Sequence, residues 1–326
     1  MPEMHLVADV LATDLPAEPI RAGFGRGLKK AGELDERVVA ACADLTDSTK
    51  MNLFAEAFPE RFTQIGIAEQ NLATVGAGLA AMGKIPFVSS YAAFSPGRNW
   101  EQIRTTICLN DRPVKLIGSH AGVSVGPDGA THQMLEDVTL MRALPNMVVI
   151  APCDSMEAEK ATLAMAKDSR PNYMRLAREA TPIVTTQDTP FELGKAYVFA
   201  AGQDVTIIAT GTMTYQALVA AEKLFKSGID AEVVHVPTIK PLDSETILKS
   251  VRKTKCVVTA EEGQVIGGLG GAISELLGEE YPIPIKRIGM LDRFGESGEP
   301  DELLEHFGLD AKHIQLAAQQ LVDKKA

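Results

Sequence analysis

Short apolar runs rich in β-branched residues alternate with longer amphipathic stretches along nearly the whole chain, and this alternation leaves little choice of fold. Strand-like runs occupy 38–45, 62–66, 85–91, 114–120, 147–152 and 172–176; helix-like stretches at 51–60, 69–82, 99–109, 135–144 and 155–167 lie between them. Continuous apolar strands separated by helices specify a parallel sheet covered on both faces. The pattern breaks at 179–192, where EATPIVTTQDTPFE has two prolines, several threonines and no helical period, and reads as a linker. It resumes with strands at 205–211, 231–237 and 256–260 and helices at 214–226 and 244–253, and everything after Pro300 reads as helical. At 326 residues the chain is too long for one ordinary domain and fits two. The expected protein is α/β, with two domains that are each a mostly parallel sheet with helices on both faces. An N-terminal extension covers 1–19, a first domain 20–180, a linker 181–191 and a second domain 192–326.

Charge narrows the function. A net charge of −11 disfavours nucleic acid and anionic membranes as partners, while leaving room for a small, locally basic pocket. No apolar run reaches the roughly 18 residues that a membrane-spanning helix needs. The opening MPEMHLVADVLATDLPAEP lacks the basic start of a signal peptide. Cys42, Cys108, Cys153 and Cys256 form no CxxC pair, so a zinc or redox motif is not expected. They read as buried free thiols in a reducing, cytoplasmic compartment.

The common nucleotide motifs fail. There is no GxxxxGK[ST] loop. In GQVIGGLGGAI, Gly268 and Gly270 would need a third glycine where Ile273 stands, so helix capping and close packing are the better reading.

Three segments carry chemistry. In RFTQIGIAEQNLATVGAGLAAMG a strand runs into a helix whose first turn holds Glu69, where the positive end of the helix dipole favours an anion. The small residues that follow suit close packing, including packing against a second copy. In IPFVSSYAAFSPGR, Tyr91 and Phe94 end a strand. Aromatics are 5% of the chain, yet Phe87, Tyr91, Phe94 and Trp100 fall within fourteen residues, where a flat heterocycle could stack. In SHAGVSVGPDGATHQMLED, His120, Asp128 and His132 sit in a glycine-rich loop between a strand and a helix, the place where α/β sites form. Their spacing matches no common metal-ligand set; hydrogen bonding to hydroxyls or proton transfer suits them better.

Taken in order, GIAEQN, SSYAAF and SHAGVSVGPDGATHQ, with ADLTDSTK before them and AEEGQVIGGLGG and IGMLDRFGESGEP after, resemble the transketolase family. The nearest likeness is the C-terminal portion made as a separate subunit in split transketolases. The resemblance implies that Glu69 hydrogen-bonds the aminopyrimidine of thiamine diphosphate, that Phe94 stacks on that ring, and that Tyr91 is a neighbouring wall. It implies catalytic and sugar-binding roles for His120 and His132, a hydroxyl contact for Asp128, and phosphate contacts for Arg178, Ser48 and Arg21. An aromatic expected three residues beyond Phe94 is replaced by Gly97.

The family holds the cofactor's diphosphate and Mg2+ with a GDG motif and a later asparagine pair. This chain has neither. The resemblance therefore implies no metal site here and a partner, an N-terminal transketolase subunit, within an α2β2 assembly acting on phosphorylated sugars of the pentose phosphate pathway. The second domain is expected to be mainly structural. The β subunit of the decarboxylating first component of 2-oxoacid dehydrogenases, a 1-deoxyxylulose-5-phosphate synthase-like enzyme, and a non-catalytic scaffold remain as alternatives. The THQ triplet and its neighbouring DG argue against the first of these.

Overall fold

The computed structural model describes residues 6–325. The start of the N-terminal extension, read above as carrying no leader, lies outside the described residues. In chain order the strands are β1 (Ala17–Pro19), β2 (Val38–Cys42), β3 (Phe62–Gln64), β4 (Ile85–Tyr91), β5 (Lys115–Ser119), β6 (Val148–Ile150), β7 (Asn172–Arg175), β8 (Ala180–Pro182), β9 (Tyr197–Ala200), β10 (Val205–Ala209), β11 (Ala231–His235), β12 (Thr238–Lys240), β13 (Val257–Gln264) and β14 (Ile285–Met290).

They build two large sheets. The first has the order β12-β6-β7-β5-β4-β2-β3, parallel apart from β12. The second has the order β14-β13-β10-β11-β9, parallel apart from β9. Strands such as β2, β5 and β10 are buried along their whole length, because helices cover both faces. No helix among the described residues is long and apolar enough to cross a membrane. All four cysteines are free and buried.

Glycine decides one helix–helix contact. Helix Ile20–Leu34 lies against helix Ser155–Lys167 so closely that a Cβ on Gly23 would sit 1.8 Å from the Ser155 carbonyl oxygen. The sequence IRAGFGRGLKKAGEL has too many glycines to read as a helix; packing outweighs propensity here.

Several elements depart from the expected pattern. The stretch read as one helix over 99–109 opens as a single turn, Trp100–Gln102, and widens into a π-helix over Ile103–Cys108. The segment after Pro300 is two helices, Pro300–His306 and Ala311–Lys325, broken where Gly308 takes φ 72°. Within 179–192, β8 pairs antiparallel with β1, so that segment is tied to the extension before the first helix. Finally, β12 leaves the second half of the chain and pairs with β6, completing the edge of the first sheet. The glycine-rich run 263–271 caps and packs: the Glu261 carboxylate accepts from the Leu269 and Gly270 amides at 2.7 Å each, opening helix Leu269–Glu280.

Candidate active site

Parallel strands deliver their following loops to one rim of the first sheet, and the chemistry collects there. Tyr91 ends β4, His120 follows β5, Arg178 follows β7, and Glu69 opens the helix Glu69–Ala81 that follows β3.

Glu69 is 4% exposed. Its N-cap, Ala68, offers no side-chain acceptor, so the Glu69 carboxylate itself sits at the positive end of the helix. The Asn99 amide donates to the Glu69 carbonyl at 2.8 Å and fixes the turn. Ser90 Oγ lies 3.4 Å from one carboxylate oxygen and Arg98 Nη1 3.3 Å from the other. The same guanidinium lies over the Phe94 ring, 4.0 Å from its centroid.

The aromatic cluster is compact. Tyr91 stacks on His120 with centroids 3.9 Å apart and lies 5.9 Å from Phe94. The His132 ring meets Phe94 edge-on at 5.3 Å. His120 takes a left-handed backbone, φ 57°, a conformation non-glycine residues seldom adopt, and so turns sharply out of the sheet onto Tyr91. Gly97 leaves no room for a ring: a Cβ there would meet the Ala93 carbonyl oxygen at 2.0 Å.

Arg21 and Arg178 form the basic side of the rim. An Arg21 Nη1–H donates to the Arg178 carbonyl, and Arg178 Nη1 donates to Val125 O at 2.6 Å. The Arg21 Nε is buried and has no partner among the described residues. Burial, then the Arg178 charge, lowers the Arg21 pKa from its ordinary value. These charges also act on His120, whose pKa falls to about 3, chiefly through burial and then through Arg21 and Arg178. The imidazole is therefore neutral at physiological pH.

That shift makes a pH prediction. The unfolded chain protonates this histidine near pH 6.5, but the folded chain not until about 3. Between those values the unfolded state binds more protons, so stability is lost as pH falls. The urea midpoint of His120→Asn should fall less steeply than that of wild type between about pH 6.5 and 4. Parallel slopes would show that His120 does not carry the effect.

The remaining sequence candidates are peripheral. Asp128 is exposed, and Ser48 lies in the turn after β2; among the described residues neither side chain hydrogen-bonds to the cluster. The histidine loop, however, is held by the second half of the chain to an extent that the sequence did not reveal. Gln133 Nε2 donates to Val123 O, Gly126 O and Glu296 O at 2.8–3.1 Å. Glu262 accepts from the Ser124 amide at 2.8 Å and the Thr212 hydroxyl at 3.0 Å. Arg98, Ser90, Asn99 and Glu262 were all missed; for Gln133 the THQ triplet was the one available signal.

Among the described residues Cys153, Glu157 and His235 form a group with metal-ligand chemistry, all fully buried. Their atoms are already committed. Glu157 accepts from the Cys153 amide at 2.7 Å and contacts His235 Nε2 at 2.8 Å, while His235 Nδ1 meets Thr214 Oγ1 at 2.8 Å. A cleft of about 510 Å³ between β14 and the final helix holds none of the site residues. The rim itself is an open face, with Gly97, Arg98 and Asp128 exposed.

Comparisons with known proteins address the whole chain. The family model for the transketolase pyrimidine binding domain matches residues 18–184, and that for the transketolase C-terminal domain residues 194–314. A Methanocaldococcus jannaschii protein named as a transketolase C-terminal section is 45% identical over 298 residues, covering 90% of this chain and 93% of its own length. The 6-deoxy-6-sulfo-D-fructose transketolase subunit SqwH of Clostridium sp. is 43% identical, covering 91% and 92%. A solved structure described as "Split gene transketolase, inactive beta4 tetramer" has a TM-score of 0.89 at 46% identity, over 94% of this chain and 99% of that one. Two domain matches that run almost end to end, and relatives alike over nine-tenths or more of both lengths, leave one conclusion: this chain belongs to the transketolase family.

Proposed function

We propose that the chain is the C-terminal subunit of a thiamine-diphosphate-dependent transketolase, active once joined by an N-terminal subunit, and that it moves a two-carbon ketol unit between sugars bearing a terminal anion. The observation that carries this reading is a buried carboxylate at a helix start beside an aromatic face, with neutral His120 and a pair of arginines on the same rim. The donor set fits the cofactor's pyrimidine end: an acceptor in Glu69 and a flat apolar face in Phe94. When bound, thiamine diphosphate supplies the carbon nucleophile.

In this reading Glu69 holds a proton at a pyrimidine ring nitrogen, and Phe94 and Tyr91 wall the ring. Neutral His120 exchanges hydrogen bonds with sugar hydroxyls without bringing charge. His132, at the edge of Phe94, donates to the sugar carbonyl oxygen as charge develops there. Asp128 accepts from a hydroxyl. Arg21, Arg178 and Ser48 grip the anion, and the Arg21 Nε, without a partner among the described residues, is a donor suited to it. The diphosphate and Mg2+ fall to the partner, because GDG and the asparagine pair are absent here. Ile67 and Met82, large apolar side chains that bracket the Glu69 helix, are exposed, which fits a subunit interface in an α2β2 assembly.

The relative named for 6-deoxy-6-sulfo-D-fructose suggests that the anion is a phosphate or a sulfonate. The test is co-purification with an N-terminal transketolase subunit from the same genome. A ketol-transfer assay with Mg2+, thiamine diphosphate and either xylulose 5-phosphate or 6-deoxy-6-sulfo-D-fructose then follows. The chain alone should be inactive and the complex active; a complex that neither binds thiamine diphosphate nor turns over either donor would overturn the proposal. In the active complex Arg178→Ala should raise the KM of the anionic sugar roughly ten- to a hundredfold, since charge-assisted hydrogen bonds contribute about 1.5–3 kcal/mol. An unchanged KM would remove Arg178 from the anion site.

A further inference from the structure

Arg98 makes the two contacts that the proposed cofactor ring needs. Its guanidinium lies 4.0 Å over the Phe94 face. One of its nitrogens stands 3.3 and 3.5 Å from the two oxygens of the buried Glu69 carboxylate. A guanidinium is flat, presents N–H donors at its edge and stacks on aromatic rings. An aminopyrimidine is flat, donates hydrogen bonds at its edge and stacks likewise.

We propose that Arg98 is a placeholder: until the cofactor arrives, in the chain alone and in the assembled complex, it occupies the pyrimidine seat on Phe94 and Glu69, and it must swing aside for thiamine diphosphate to enter. This rests on the assignment of Glu69 and Phe94 to the pyrimidine. Two flat groups cannot share the ring face that Arg98 covers, so binding and the observed arrangement exclude each other. The exchange is feasible because the Arg98 side chain is 51% exposed and is bonded to nothing but Glu69 among the described residues. It therefore leaves toward solvent without unpacking the core. Meanwhile it covers a buried carboxylate that would otherwise face the open rim unpaired. The adjacent Gly97 carries no side chain to obstruct the swing.

The consequence is a tax on cofactor affinity, since only the fraction of molecules with Arg98 displaced can bind. In the assembled complex, thiamine diphosphate binding with Mg2+ can be followed by equilibrium dialysis and by quenching of Trp100, this chain's one tryptophan, two residues away. Arg98→Ala should lower the Kd about tenfold, mainly by faster association, and Arg98→Gln should do the same. An unchanged Kd would overturn the placeholder role. A weaker Kd would also overturn it, and would make Arg98 a cofactor contact instead. Glu69→Gln measured beside them separates the two ideas. If it retains wild-type turnover, the pyrimidine assignment fails; if it loses turnover while Arg98→Ala leaves Kd unmoved, only the placeholder fails.

Discussion

Glu69→Gln in the assembled enzyme is expected to cut turnover by roughly two to four orders of magnitude, the usual contribution of a positioned acid–base group. The fold should survive. The carboxylate makes only long contacts, 3.4 Å to Ser90 Oγ and 3.3 Å to Arg98, and glutamine keeps its shape. The backbone carbonyl that holds Asn99 is untouched. Melting temperature and association with the partner subunit should therefore match wild type, with the loss confined to kcat. Wild-type turnover in this variant would end the case for Glu69 as the group that governs the pyrimidine.

Asp137→Ala is expected to have the largest effect on stability. Asp137 is 0% exposed and takes two donors: Tyr173 Oη at 2.7 Å and Arg175 Nε, shared between both carboxylate oxygens at 3.2 and 3.1 Å. Burial pulls the Arg175 pKa down, but the Asp137 and Glu262 charges more than offset it and keep the guanidinium charged. Removing the aspartate leaves that cation buried without its ion-pair partner, which costs about 3–5 kcal/mol when one partner of a buried pair is deleted. Arg175 also donates to Glu262 O at 2.6 Å, so its misplacement would loosen the Glu262 contacts that hold the histidine loop. The urea midpoint of Asp137→Ala should drop accordingly, with Asp137→Asn falling between it and wild type. A loss below about 1 kcal/mol would place the pair among those that contribute little.

Much of the fold was legible because strand burial writes itself into composition. β2, β5 and β10 are buried throughout and mostly apolar, since both faces are covered. The Glu69 helix was legible from its dipole position and small residues. The helix Ile20–Leu34 was not: its glycines serve contacts with Ser155 and Lys50, made across a distance no local window spans. β14 was missed because Ile285–Met290 is half exposed and carries Lys286 and Arg287, which mask its period. Arg98 is 29 residues from Glu69 in sequence. Nothing periodic joins them, and only the turn around Asn99 brings them together.

β12 has a practical consequence for anyone who would cut or recombine this protein. Thr238 and Lys240 lie in register with Ile150 and Val149, and Ala151 N donates to Pro237 O at 2.8 Å, so the ladder continues past the strand. A fragment ending near 190 would leave Val148–Ile150 as a bare, apolar sheet margin, the sort of surface that recruits other chains into aggregates. The halves are thus not interchangeable cassettes. A chimera that swaps one for a cousin's must keep the Thr238–Lys240 stitch matched to the sheet that receives it.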